Sequence, residues 1–494
     1  MRTFKTDFTE ITLGEDGCMS SVKAGGKEVL LQSQKSALVS LMAGGAVLAP
    51  VKAERKDETL VFDFEGGRQV VLRFTQSDVC VTFEAVEVPA DADALMFGPV
   101  FVTLDEAVGD VIGVCRGSGA AFGMQALNIK TVQGVPQEYA GALKELVKYK
   151  QESTGISVGG FAETARAAAR VEGGAVLQFS CRRRDRVEYR EVNGVRDCLV
   201  LPVKGEDAYI QGAKIALFAC KESDALARIG WIEIEQGLPH PVIEGEWGKV
   251  SRGAMHSYLI SNFYQDDIDF VIEKAKIAGL KYIYHEGPFQ SWGHFTFNED
   301  GFPGGDGQVK EIVEKCKANG IQVGVHTLTN FLNTHDAYVT PVPSEHLLKQ
   351  GQLYLTQDID DTQTDIPIRE SHYFDTPLTL NALQCENELI SFGSFEEKDG
   401  GYLLKKCRRG EYDTSAAAHQ KEAPLYKLWD YPYNTLFPDL ELQDAFCDRL
   451  VEIFNKTGLS QISFDGLEGC DYTGHDEYAH TRFSVRCFEG WDHT

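Results

Sequence analysis

The chain carries two patterns of apolar positions, and one gives way to the other near residue 245. Before that point short alternating or apolar runs recur, among them Thr59-Leu60-Val61-Phe62-Asp63-Phe64, Val70-Val71-Leu72-Arg73-Phe74 and Val79-Cys80-Val81-Thr82-Phe83. A period of two puts alternate side chains on one face, which is the signature of a half-buried strand. Clusters such as Glu65-Gly66-Gly67 separate the runs, as expected of antiparallel strands joined by tight turns. Few segments of helical length interrupt them, so residues 1–245 are expected to form a large β-sandwich. The run Arg182-Arg183-Arg184-Asp185-Arg186 is expected to be a solvated strand edge, where charge discourages further pairing.

After Gly237-Leu238-Pro239-His240-Pro241 the period lengthens, and residues 246–494 read as a second domain. A strand is expected at Met255-His256-Ser257-Tyr258-Leu259-Ile260. Ile268, Val271, Ile272, Ala275 and Ala278 then fall at helical spacing, with Gly279 as a stop. Strand Leu280–Tyr284, helix Val309–Ala318 and strand Ile321–Val325 follow. This alternation marks βα units around a parallel sheet. Residues 337–438 break it with turns and short strands, and are expected to be a β-rich insertion. Helix Leu440–Lys456 and strand Gln461–Phe464 resume it, and that strand ends at Asp465. Four strands are counted where a closed (β/α)8 barrel needs eight. The fold class is thus multidomain β plus α/β, with the first half of a parallel (β/α)8-type barrel. The chain reads as truncated within that barrel, or as a half-barrel completed by a second chain.

Composition narrows the partners. The 494 residues carry a formal net charge of -26 with a pI near 4.9. Such a charge repels nucleic acid and anionic membranes, and neither is expected as partner. No apolar run approaches the length of a membrane helix, and no signal peptide is visible, so a cytoplasmic location is expected. The 12 cysteines are scattered without C-x-x-C or zinc spacing and read as buried small hydrophobes. No metal and no cofactor is expected, the tail Asp471-Tyr472-Thr473-Gly474-His475-Asp476-Glu477 having no diagnostic spacing. A homo-oligomer is left open.

Catalytic groups of parallel barrels project from the C-terminal ends of the strands. Those ends are Ser261 and Asn262, His285 and Glu286, His326 with Asn330 beyond, and Asp465 with Glu468. Such a rim suits glycoside cleavage, in which one carboxylate attacks or activates water and another carboxyl protonates the leaving oxygen. Asp465 and Glu468 are the candidate catalytic pair. His285, Glu286, Trp292, His294, His326 and Asn330 are the candidate substrate-binding residues, with an oligosaccharide or glycoside as ligand. Plainer roles stand beside these. An aspartate before glycine serves as a turn residue, a glutamate in a loop as a solvated acid, a histidine as a hydrogen-bonded core group, and Trp292 as loop packing. His285 and Glu286 are adjacent, so on a strand only one of them faces the pocket.

The second half also resembles a known group, the retaining α-glycosidases of the α-galactosidase (melibiase) type. The resemblance lies in Phe302-Pro303-Gly304-Gly305 within the run Gly293–Gly305, the helix after it, and Gly320-Ile321-Gln322-Val323-Gly324. That family pairs an N-terminal β-supersandwich with a β/α barrel. It has an aspartate nucleophile at the end of the fourth strand, a position Asp465 matches. The resemblance implies hydrolysis of an α-linked sugar with retention. It also implies an acid/base after a sixth strand, beyond Thr494 on this count. The family's paired aspartates after the second strand are replaced by His285-Glu286, and galactose is not implied. Two other readings compete: a carbohydrate-binding barrel without catalysis, and a polysaccharide lyase using His285, His326 or a nearby tyrosine as base.

Overall fold

The computed structural model describes residues 2–150, 162–369, 373, 378–398 and 400–493. The chain divides into two compact units, Met1–Arg186 with Pro202–His240, and Val187–Leu201 with Pro241–Thr494.

The first unit is built from antiparallel sheets. Eight strands from Lys52–Lys56 to Lys214–Lys221 form one sheet, and a second includes Val39–Ala43, Ala94–Val102 and Gly174–Arg182. Alternation decides which side chains go inward: Leu60, Phe62 and Phe64 of Thr59–Phe64 are buried, and the residues between them are half-buried. Side chains of both sheets, among them Phe62, Leu72, Phe83 and Leu217 from one and Leu41, Phe97 and Leu177 from the other, pool into one apolar core. The outermost strand Lys52–Lys56 keeps its charges in solvent, which blunts that edge.

The arginine run departs from expectation. Arg182 and Arg184 are buried. Arg182 donates both terminal nitrogens to Glu138, at 2.6 and 2.7 Å. Arg183 pairs with Asp185 and Arg186 with Asp93. A guanidinium is tolerated inside when its fork is matched by a carboxylate. Glu138 lies 44 residues away in sequence, so the pairing has no local signal. All 12 cysteines are unpaired and buried.

The second unit holds four parallel strands in chain order, β1 (Tyr258–Ser261), β2 (Tyr282–His285), β3 (Gln322–Leu328) and β4 (Gln461–Asp465). Helices α1 (Ile268–Ala278), α2 (Gly305–Ala318), α3 (Leu440–Thr457) and α4 (Glu477–Gly490) follow or separate them. Each helix turns an apolar stripe inward; in α3 the stripe is Leu442, Phe446, Leu450 and Ile453. Asp439 caps α3 by accepting from the backbone N–H of Glu441 and Leu442, at 3.0 Å each. Among the described residues the sheet is open rather than closed into a barrel, with β1 and β4 as its edges. Tyr258, Leu259 and Ile260 of β1 are exposed, whereas parallel strands are ordinarily covered on both faces. No helix among the described residues is long and apolar enough to cross a membrane.

Between β3 and α3 the chain forms small antiparallel sheets around an apolar core that includes Leu353, Leu383, Ile390, Leu404 and Leu425. A hairpin from far upstream, Glu188–Val192 with Val195–Val200, groups with this unit. Its Val192, Val195 and Val200 pack with Phe331, Trp429 and Phe437. Arg190 donates to the carbonyl of Gly474 at 2.6 Å, and His475 Nε2 lies 2.9 Å from the carbonyl of Leu201.

Candidate active site

The register of the parallel sheet sorts its side chains into two faces. Tyr284 pairs with Ile260 and Gly324, and Gly324 with Gln461, so these share a face; two residues on, His326 pairs with Ser463, and after two more Leu328 pairs with Asp465. Ile283, His285, Val323, Val325 and Thr327 belong to the other face and are buried. Phe464, also on that face, meets Phe483 of α4, which identifies it as the helix-covered side. The first face is the open one.

Asp465 closes β4 on the open face, its side chain 50% exposed. Three contacts hold the end of this strand. Gly466 N donates to Asp465 Oδ1 at 3.0 Å, and the carbonyl of Asp465 accepts from Thr329 N at 2.8 Å and Thr329 Oγ1 at 3.0 Å. The backbone then turns at Gly466 with φ 71°, where a Cβ would lie 2.8 Å from Phe331 Cδ2. Both constraints select glycine. Glu468 is exposed in the first turn of the short 3₁₀ segment Leu467–Thr473.

His326 joins this site. Its Nε2 lies 3.3 Å from Asp465 Oδ2, and its Nδ1 lies 3.2 Å from Ser463 Oγ. Ser463 was not anticipated from the sequence, although its spacing of two from Asp465 places both on one face. Glu286 continues β2 in the opposite sense from His285, and Asn262 Nδ2 donates to Glu286 Oε2 at 3.3 Å. The strand ends therefore carry two contacting groups on this face, Asn262 with Glu286 on one side and His326 with Ser463 and Asp465 on the other.

Three of the other residues expected to bind substrate stand elsewhere. His285, 2% exposed, lies on the helix-covered face among the rings of Phe263, Tyr264 and Phe302. Burial pushes its pKa down to about 4, and Gly287 N donates to its Nδ1 at 3.2 Å. It is a core histidine. Asn330 is fully buried beneath Gly469, where an added Cβ would come 2.7 Å from Asn330 Cβ. Trp292 packs against the cluster of Phe331, Trp429 and Phe437, and its backbone N donates to Asn333 Oδ1 at 2.6 Å. Its role in the structure is loop packing.

His294 is held by a residue the sequence did not single out. Its Nδ1 lies 2.7 Å from Asp336 Oδ1, its backbone N donates to Asp336 Oδ2 at 3.0 Å, and its ring stacks on Tyr338 with centroids 4.0 Å apart. Asp336 also accepts from Ser291 Oγ at 2.8 Å and Tyr338 N at 2.9 Å. The close approach requires Gly293 at φ 127°, where a Cβ would lie 2.7 Å from Asp336 Cγ. Asp336 thereby ties the loop after β2 to the loop after β3. In the tail, Asp471 pairs with His480 at 2.7 Å.

No family model matches the sequence, and no curated protein matches it. Solved glycosidase structures share a loose likeness. The α-galactosidase of Thermus thermophilus in complex with stachyose is 12% identical over 86% of this chain and 71% of its own, with a TM-score of 0.35. A sulfoquinovosidase of E. rectale is 8% identical over 94% of this chain and 58% of its own, with a TM-score of 0.38. The ligand-free α-N-acetylgalactosaminidase of Bifidobacterium bifidum is 9% identical over 94% and 70%, with a TM-score of 0.41. These neighbours are glycoside hydrolases of α-linked sugars. TM-scores below 0.5 carry no weight for the chemistry of this chain, which has to come from its own residues.

Proposed function

We propose that this chain is a glycoside hydrolase that cleaves an α-linked sugar with retention, using Asp465 as nucleophile. The observation that carries the reading is the place of Asp465. It is a half-exposed carboxylate at the C-terminal end of a parallel strand, beside His326 and on the same face as the other strand-end polar groups. In the first step an Asp465 oxygen bonds to the anomeric carbon as the bond to the leaving oxygen breaks. A carboxylic acid gives that oxygen its proton, and water later releases the sugar with the same anomeric configuration.

A retaining pair of carboxyls stands about 5–5.5 Å apart. Glu286 sits two strands from Asp465, about 10 Å across the sheet at the usual strand spacing. Its role is therefore to hold a sugar hydroxyl, together with Asn262. Glu468, three residues beyond Asp465, either holds a second sugar hydroxyl or is the local candidate for the acid/base, which the resemblance puts beyond Thr494.

The test is hydrolysis of aryl α-glycosides of galactose, N-acetylgalactosamine, glucose and sulfoquinovose, with the first-formed anomer read by proton NMR. Turnover to the α-anomer, lost at least about 1,000-fold in Asp465→Asn, is the expected result. An initial β-anomer, or an Asp465→Asn variant as active as the parent, would overturn the assignment.

A further inference from the structure

We infer that Ser463 and His326 form a two-residue relay that orients the Asp465 carboxylate, with His326 as a positioning residue. The inference rests on the reading of Asp465 as nucleophile and adds to it the groups that prepare that carboxylate.

Three positions are brought together by strand geometry alone. Ser463 and Asp465 are two residues apart on β4 and so share a face, while His326 on β3 is in register with Ser463. The imidazole leans toward the strand end and spans both partners, with Nδ1 3.2 Å from Ser463 Oγ and Nε2 3.3 Å from Asp465 Oδ2. The two nitrogens face different chemistry. A carboxylate only accepts, so the nitrogen facing it has to carry hydrogen, or two lone pairs would oppose each other. Ser463 both donates and accepts, and its hydroxyl can therefore give its hydrogen to Nδ1. The neutral ring is thus selected as the Nε2–H tautomer, and the serine is what makes that choice self-consistent.

For Asp465 the consequence is directional. Oδ1 accepts from Gly466 N at 3.0 Å and Oδ2 lies 3.3 Å from His326 Nε2, so the carboxylate has a neighbour at each oxygen. The contact with Thr329 holds the backbone beneath it. A carboxylate held in this way reaches an anomeric carbon without first losing rotational freedom. His326 remains 31% exposed, so the ring also borders the space a sugar would fill.

Two measurements test this, and one does not depend on turnover. Long-range nitrogen–proton NMR of the histidine-labelled chain, with the His326 signal identified by its loss in His326→Gln, should report the Nε2–H tautomer. In Ser463→Ala the preference should relax toward a mixture. A Nδ1–H ring in the parent, or a tautomer indifferent to Ser463→Ala, would overturn the relay whatever the enzyme does. On an aryl α-glycoside that the parent hydrolyses, His326→Ala should lower kcat by about 10- to 100-fold with KM within about twofold. His326→Gln, whose amide can donate to Asp465 and accept from Ser463, should recover most of that loss. Equal losses in the alanine and glutamine variants, or a change confined to KM, would contradict a positioning role. If Asp465→Asn leaves hydrolysis intact while the tautomer behaves as stated, the nucleophile assignment fails and the relay stands.

Discussion

Replacing Glu388 with glutamine should destabilise the insertion between β3 and α3 by about 3–5 kcal/mol, because it takes from the buried Arg409 side chain its carboxylate partner and from His419 one of two. Glu388 is 1% exposed. Its carboxylate accepts from Arg409 Nε at 2.7 Å and Nη2 at 2.8 Å, from Gly410 N at 3.0 Å and Ala417 N at 3.1 Å, and faces His419 Nε2 at 2.7 Å. Arg409 and His419 are themselves buried, with side chains 5% and 1% exposed. Burial alone would raise the Glu388 pKa, yet the hydrogen bonds from His419 and Arg409 draw it down to about 2. The side chains of Cys385 and Glu388 hold His419 up at about 10. Removing the shared anion leaves the Arg409 side chain without its carboxylate partner and His419 with Glu386 alone, whose Oε2 lies 3.1 Å from its Nδ1, and breaking such a pair costs far more than the pair gained by forming. Hydrogen exchange is the suitable assay, since it reads local opening in a chain of more than one unit. Amides of Ala382–Cys385 and Glu388–Ser391 should exchange at least about 100-fold faster in Glu388→Gln, and β2 and β3 should be unchanged. Replacing Glu388, Arg409 and His419 together by apolar residues should recover much of the protection. Exchange in Glu388→Gln within about threefold of the parent would refute the reasoning.

Other outcomes follow from the same geometry. The Glu388 pKa is lowered from 4.5 to about 2, so its contribution is full above pH 4.5 and drains as pH falls toward 2. His419 is raised from 6.5 to about 10, so its contribution is full below pH 6.5 and drains as pH rises toward 10; protection of the insertion should peak between pH 4.5 and 6.5. For His285 the sign is reversed: its pKa is lowered from 6.5 to about 4, so the sheet loses up to about 3 kcal/mol as pH falls across that interval. His285→Phe should remove that loss in an acid titration of β2 exchange and leave hydrolysis within about threefold. Gly466→Ala should lower the melting temperature by several degrees, about 1–2 kcal/mol of strain, and cut kcat more than KM by displacing Asp465. An unchanged kcat would show that the turn does not place the carboxylate. Asp336→Ala should speed exchange across residues 287–300 and leave β4 protected; uniform exchange would show that Asp336 does not tie that loop.

What was legible in the sequence was what short-range periodicity encodes. The stripe of α3, the stop of α1 at Gly279 and the end of β4 at Asp465 all follow from residues within a turn or two of each other. Which face of β2 looks outward was not legible. Tyr282, Ile283, Tyr284 and His285 form an unbroken run of large side chains, so no polar alternation marks the phase of the strand. His285, expected at the rim, belongs to the core, and Ser463 lies inside an apolar run. Asp336 and the buried Arg182 depend on partners 42 to 45 and 44 residues distant, for which no local pattern exists. The hairpin 187–201 shows the same limit on a larger scale. Its alternation is that of any hairpin, and its packing on Phe331, Trp429 and Phe437 and its contact with Gly474, 284 residues away, place it with the second unit.

The central claim is that Asp465 forms a covalent bond to the sugar. Incubating the protein with a fluorinated α-glycoside that slows release of the intermediate, followed by peptide mass spectrometry, tests it directly. One added fluorosugar per chain is expected, carried by the peptide containing Asp465 and absent in Asp465→Asn. Attachment to another carboxylate, or steady hydrolysis with no adduct and an inverted product, would contradict it.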